Sequence, residues 1–268
     1  MMFHLYQQDS DQLQKNLISD SLNKIDSHLK EKSTSPESAA AMERWIRQIF
    51  ENTARLSHNQ DLELPPPEPI SLPREIKAFT IQTAIRILTM KSDLQDNALY
   101  YLNDTGSALG LESASLRNLL DDEFNKMRFE FTAQLKKELN PEQLYWCALM
   151  LLEIIYADGQ VHPAEKLYFD LITELIAGSG TDLETLKKNA LNPDEIPTLN
   201  LNENTARVML KYVVTIAMCD GEYVGQESEF ITKAARSLGI EPSSIDTVLQ
   251  PIAASFMVLE SLFPRNRD

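Results

Sequence analysis

Apolar residues recur at intervals of three and four along most of the chain, with polar residues filling the gaps. Leu13, Leu17, Ile18, Leu22, Ile25 and Leu29 mark one amphipathic helix. Ser33-Thr34-Ser35-Pro36 interrupts the pattern, and Ser35 before Pro36 reads as an N-cap followed by the first helical residue. A second stripe follows, Met42, Trp45, Ile46, Ile49, Phe50, Thr53 and Leu56, so residues 1–60 read as a helical hairpin. Residues 74–91 carry Ile76, Phe79, Ile81, Ala84, Ile85, Ile87 and Leu88, apolar nearly all round, which predicts a buried helix. The pattern predicts further helices over 95–109, closed by Leu109-Gly110-Leu111, over about 112–139, and from Asn140-Pro141 to about Ala157. Another starts at Pro163, and Thr181-Asp182-Leu183-Glu184 reads as a capping box opening a short one. After a loop at 192–197, helices are expected at about 203–219, 226–238 and 242–262, the last kinked by Pro251. No segment alternates with period two. The expected fold class is all-α, a multi-helix bundle preceded by an N-terminal helical hairpin.

One stretch breaks the helical pattern outright. Leu62 to Pro73 holds five prolines within nine residues, which excludes helix and sheet interior and favours extended polyproline II backbone. It reads as a spacer, as a docking site for a proline-recognising domain, or as an ordered strap on the core. On this reading the chain divides into a hairpin at 1–60, a Pro-rich linker at 61–73 and a helical core at 74–268.

Charge narrows the function. Forty acidic against 25 basic residues leave a formal net charge of −15 in 268 residues. Phosphate binding depends on clustered Lys and Arg, so nucleic acid is not expected as a partner, nor is docking on an anionic membrane surface. With 43% apolar residues the chain has enough hydrophobic material for a substantial core. Cys147 and Cys219 support neither a disulfide framework nor a Cys-rich zinc site. His4, His28, His58 and His162 are scattered. No signal-peptide pattern is visible, and Glu153 interrupts the longest apolar run, so no membrane-inserted helix is expected. The expected location is the bacterial cytoplasm, peripheral to a membrane complex through a partner where such a complex is involved.

One feature repeats. Tyr156-Ala157-Asp158-Gly159-Gln160-Val161-His162-Pro163-Ala164-Glu165 and Met218-Cys219-Asp220-Gly221-Glu222-Tyr223-Val224-Gly225-Gln226-Glu227 each join an apolar helix to an amphipathic one. Asp and Glu are seven apart in both, and the copies are offset by 62 residues. Gly supplies the left-handed backbone that closes the incoming helix. Glu165 or Glu227 falls in the first turn of the outgoing helix, where a carboxylate suits the helix dipole and is placed to cap. Asp158 or Asp220 at the end of the incoming helix faces the negative pole and needs compensation. Two readings stand. The aspartates bond turn amides while the glutamates cap helices, or the two loops pool Asp158, Glu165, Asp220 and Glu227, with Glu222, into a divalent-cation site for calcium, magnesium or zinc. Hard cations take six or more oxygens, which one copy does not supply. The spacing differs from that of an EF-hand loop.

These motifs resemble the TerB-like helical domains, found in tellurite-resistance proteins and in a membrane-anchored DnaJ-like co-chaperone. That family carries a duplicated helix–loop–helix reading A-D-G-x-V-x-x-x-E, often closed by L-G-I. Here Ala157-Asp158-Gly159-Gln160-Val161 and Glu165 match, as do Asp220-Gly221, Glu227 and Leu238-Gly239-Ile240. Cys219 stands where Ala is usual, and Tyr223 displaces Val to position 224. The resemblance covers about residues 140–257. It implies an all-α core and metal binding through the acidic loops. It also implies roles in stress-response, chaperone-associated or membrane-associated systems.

Catalytic signatures are missing from the sequence: no GxSxG, GxGxxG or phosphate loop occurs, and Gly178-Ser179-Gly180 reads as a helix connection. His162 reads as a helix N-terminal residue. The expected function is therefore a non-enzymatic interaction or scaffold protein of a bacterial multiprotein assembly, with protein partners and a homodimer as candidate associations. Trp45, Ile46, Ile49 and Phe50 of the hairpin are the candidate partner-binding residues, because two helices alone bury little surface. The alternative is a divalent-metal sensor built on the paired loops.

Overall fold

The computed structural model describes residues 10–33, 35–59, 61–90, 94–159, 161–177, 179–190, 196–219 and 225–264. Among them the regular structure is helical throughout, with no strand. The chain forms two compact units: 1–125 together with 257–268, and 126–256. The boundary expected at 61–73 falls inside the first unit rather than between units.

The first unit contains α1 (Ser10–Lys32), α2 (Pro36–His58), α3 (Arg74–Thr89), α4 (Asp96–Ala108) and the first half of α5 (Ser113–Glu138). Ser35 caps α2 as expected, its hydroxyl accepting from the Ser38 amide at 3.2 Å. Helix α3 packs against α1, α2 and α4, and Ile81, Ile85 and Ile87 on it are fully buried. The inner stripe of α1 is Gln14, Ser21, Leu22, Ile25 and Leu29, while Leu13 stays 43% exposed. Gln14 is inside because its amide donates to Ser57 Oγ at 2.8 Å and to the Ile87 carbonyl at 3.1 Å, which joins α1, α2 and α3. Helix α4 ends at Gly110, whose φ of +65° lets the Leu111 amide reach the Gly106 carbonyl at 2.9 Å.

The Pro-rich stretch is an ordered strap on this unit. The Trp45 indole donates to the Glu68 carbonyl at 2.8 Å, the Ile70 amide donates to the Ala108 carbonyl at 3.0 Å, and Leu72 is buried. The C-terminal end of α12 (Ile245–Leu262) returns to the same unit. Arg117, almost completely buried, pairs with Asp121, with Glu260 at 2.9 Å and with the Phe263 carbonyl at 2.8 Å. Its guanidinium satisfies the carbonyl end of α12, where a cation is favoured. The stretch Pro242–Leu262 is long and apolar enough to cross a membrane by length and composition, with 28% of its apolar window buried. Asp246 and Glu260 lie within it, so it contains no long uncharged run.

The second unit contains the latter half of α5, then α6 (Pro141–Ile155), α7 (Pro163–Lys166), α8 (Phe169–Ile176), α9 (Leu183–Ala190), α10 (Glu203–Ala217), α11 (Gly225–Ser237), a 3₁₀ turn at Pro242–Ser244 and the start of α12, where Pro251 lies. Helix α6 is its centre: α8, α9, α10 and α11 pack on it, and every residue from Cys147 to Ile155 is buried. Phe131 of α5 stacks on Tyr212 of α10 at 4.3 Å between ring centres. Asp182, not Thr181, caps α9: the Thr185 amide donates to Asp182 Oδ1 at 2.7 Å and holds that carboxyl below its usual range.

Candidate functional site

The duplication seen in the sequence is a duplication of structure. Helices α6 and α10 have the same length, and both of their ends are offset by 62 residues, as are the starts of α7 and α11. Equivalent asparagines cap them. Asn140 Oδ1 accepts from the Gln143 amide and Asn202 Oδ1 from the Thr205 amide, each at 2.9 Å. In the first copy Gln143 Oε1 also accepts from the Asn140 amide, completing a capping box. In the second, the Thr205 hydroxyl instead donates to Glu138 Oε2 at 2.9 Å.

The first acidic loop differs in detail from the expectation. Helix α6 stops at Ile155, three residues before Asp158, and a turn follows in which Gly159 adopts φ +81° and donates to the Tyr156 carbonyl at 3.1 Å. Asp158 is therefore an exposed turn residue, beyond the last helical turn where the dipole acts. His162 is the N-cap of α7. Its Nδ1 accepts from the Ala164 amide at 3.2 Å, which places the neutral ring's proton on Nε2. Glu165, 4% exposed, accepts the His162 amide on Oε2 at 2.7 Å, so the capping role read from its position holds.

Glu227 occupies the equivalent place in α11 and is equally buried. Asp220 and Glu222 lie outside the described residues. Among the described residues, no group of three or more His, Cys, Asp and Glu side chains is close enough to hold a metal ion. Asp158, Glu165 and Glu227 thus do not form a metal centre by themselves.

The outgoing helices differ between copies. Helix α11 runs unbroken, whereas its counterpart is split at Leu167–Tyr168 into α7 and α8. The break leaves the Leu167 carbonyl outside a regular helix, and Arg128 of α5 reaches it through Nη1 at 3.5 Å. The same guanidinium lies over the buried Tyr168 ring at 4.6 Å. Two large apolar side chains of this unit are exposed, Phe129 of α5 at 57% and Leu167 at 50%.

The hairpin residues expected to bind partners are placed otherwise. Ile46, Ile49 and Phe50 are buried within the first unit, and Trp45, half-buried, holds the strap. Their apolar face is satisfied inside the chain because α3 and α4 cover α2.

Two polar residues of the second unit carried no sequence signal of function beyond their oddity. Glu153 is a lone carboxylate in the apolar run of α6, 6% exposed, with no hydrogen-bond partner for Oε1. Burial raises its carboxyl from 4.5 to about 7, against the pull of Lys233. Thr215 stands at the equivalent position of α10, also buried, and its hydroxyl too has no partner. Cys147 is inert by comparison, its thiol pushed up to about 12 by complete burial.

An all-α unit with two helix–loop–helix copies in 62-residue register is the class of structure these observations define. Residues 109–188 match the family model described as tellurite resistance protein TerB, so the chain carries a TerB-like helical segment. The match begins earlier than the resemblance at about 140–257 and includes the first copy, while the second copy lies beyond it. No curated protein and no solved structure matches the chain.

Proposed function

We propose that the protein is a non-enzymatic helical interaction protein that binds protein partners within a larger bacterial assembly. The observation that carries this reading is the exposure of two large apolar side chains, Phe129 and Leu167, in the second unit. Both lie within the TerB-matched segment, and Arg128 reaches the Leu167 carbonyl. Exposed aromatic and large aliphatic side chains are the kind that bury well in protein interfaces, where aromatic residues are enriched. The matched family's name ties that family to tellurite resistance, and a role beside a stress-response assembly is consistent with it.

The test is affinity purification of the tagged chain from its native cell, with Phe129→Ala/Leu167→Ala alongside. Specific co-purifying proteins, reduced about tenfold or more by the double variant, are expected for side chains of this kind. An unchanged set of partners in the variant refutes their role. The competing reading, a divalent cation held by the two loops, predicts saturable calorimetric heat that Asp158→Asn/Asp220→Asn removes.

A further inference from the structure

The side chain at position 153 is out of place by every rule that governs the rest of α6. From Cys147 to Ile155 the helix is buried all round, and eight of these nine residues are Cys, Ala, Leu, Met or Ile. A charge enclosed in such surroundings without a full set of hydrogen bonds is strongly disfavoured, so the group is held neutral or the packing gives way. Glu153 Oε1 has no partner. The duplication sharpens the anomaly. In α10, 62 residues on, the corresponding side chain is Thr215, buried and equally unpartnered. Six other helical threonines, Thr53, Thr80, Thr89, Thr105, Thr132 and Thr232, donate to the carbonyl four residues back, a bond that Thr215 does not make. The same register in both copies therefore holds a polar group that the local backbone does not satisfy.

The elements packed against α6 show what acts on the carboxyl. Helix α11 supplies Lys233, whose charge favours the ionised form but does not form an ion pair with it within the distances seen elsewhere. On α8, Glu174 is paired with Lys136, and on α9, Lys187 is paired with Glu184. Helix α10 carries Arg207 and Lys211, but Lys233 is the charge that acts on the Glu153 carboxyl.

We propose that Glu153 is a proton-held latch: as the neutral acid it lets α6 pack within α8–α11, and its ionisation loosens α6 against α10 and α11. The step is a simple release of the carboxyl proton to water. The helices affected flank both acidic loops, since α6 ends before Asp158 and α10 and α11 bracket the second loop. Acidification tightens the second unit, and alkalinisation frees it.

The test is read on the full chain labelled with carbon-13, following each glutamate carboxyl by NMR from about pH 4 to about pH 9. Glu153, assigned through its own backbone resonances, is expected to titrate near neutrality. Amide protection over 205–217 and 225–237, corrected for intrinsic exchange, is expected to fall about tenfold or more across the same titration. The fall is absent in Glu153→Gln, which mimics the neutral acid. Titration of Glu153 in the ordinary carboxylate range overturns the proposal. So does titration near neutrality with protection unchanged. Both readouts come from the unsubstituted chain, so they decide the matter even where Glu153→Gln does not fold.

Discussion

The two helix–loop–helix copies of the second unit share a frame and differ in what they do with it. Helices α6 and α10 have equal length, equivalent asparagine caps and buried glutamates at the start of the helix that follows. Within that frame the first copy encloses a carboxyl group where the second encloses a hydroxyl, and it breaks its outgoing helix where the second continues. Caps and the 62-residue register set the frame. What fills it, and what a neighbouring side chain such as Arg128 supports, is free to diverge.

The largest effects should come where the copies are chemically identical. Ile154 and Ile216 occupy equivalent positions and are both buried. Ile154→Ala and Ile216→Ala should each destabilise the second unit by about 2–5 kcal/mol. Urea unfolding followed by Trp146 fluorescence reports on that unit, since the other tryptophan, Trp45, belongs to the first. Costs that differ by more than about 2 kcal/mol would show that one copy alone carries the core.

The next effect separates the copies. The Glu153 carboxyl is raised from 4.5 to about 7 in the folded chain, so the folded state holds a proton that the unfolded state releases. Below the unfolded value the group is neutral in both states and adds no pH-dependent cost. As pH rises from there to about 7, stability falls by about 1.4 kcal/mol per pH unit, and beyond that the full cost of about 3 kcal/mol remains. Glu153→Leu should therefore stabilise the second unit by up to about 3 kcal/mol more at about pH 8 than at about pH 4.5. Thr215→Val should show no comparable pH dependence. Parallel urea curves at the two pH values check both.

Caps test the shared frame more gently. Asn140→Ala and Asn202→Ala should each cost about 1 kcal/mol. Near-equal losses in thermal unfolding would confirm that both asparagines do the same work. A loss at Asn140 alone would trace the stabilisation to the reciprocal bond from Gln143, which the second copy lacks.

Much of this frame was legible in the sequence. Asn140-Pro141, Ser35-Pro36 and Leu238-Gly239-Ile240 announce helix ends through local chemistry, and the Asp-Gly repeat announces the duplication. Long-range choices were not legible. Nothing local tells that Gln14 rather than Leu13 turns inward, because that depends on Ser57 and the Ile87 carbonyl arriving opposite it. Nothing in the prolines tells that the strap is pinned by Trp45 and Ala108. Ile46, Ile49 and Phe50 looked like a free apolar face because α3, which covers them, lies beyond those prolines. Glu153 was visible as an interruption of an apolar run, but its burial follows from four helices closing around α6.

The smallest effect isolates the broken helix. In α11 an uninterrupted ladder satisfies the carbonyls, whereas at Leu167 Arg128 stands in for the missing helical bond and also rests on Tyr168. Arg128→Ala removes both contacts and should destabilise the second unit by about 0.5–1 kcal/mol. The cost stays small because the Leu167 carbonyl is at an exposed residue and water replaces the lost donor. Hydrogen exchange is the sharper probe, since protection at Leu171 and Ile172 should fall while the equivalent stretch of α11 is untouched. If both outgoing helices lose protection together, the break is not held locally by Arg128, and the divergence of the two copies has its origin in the core instead.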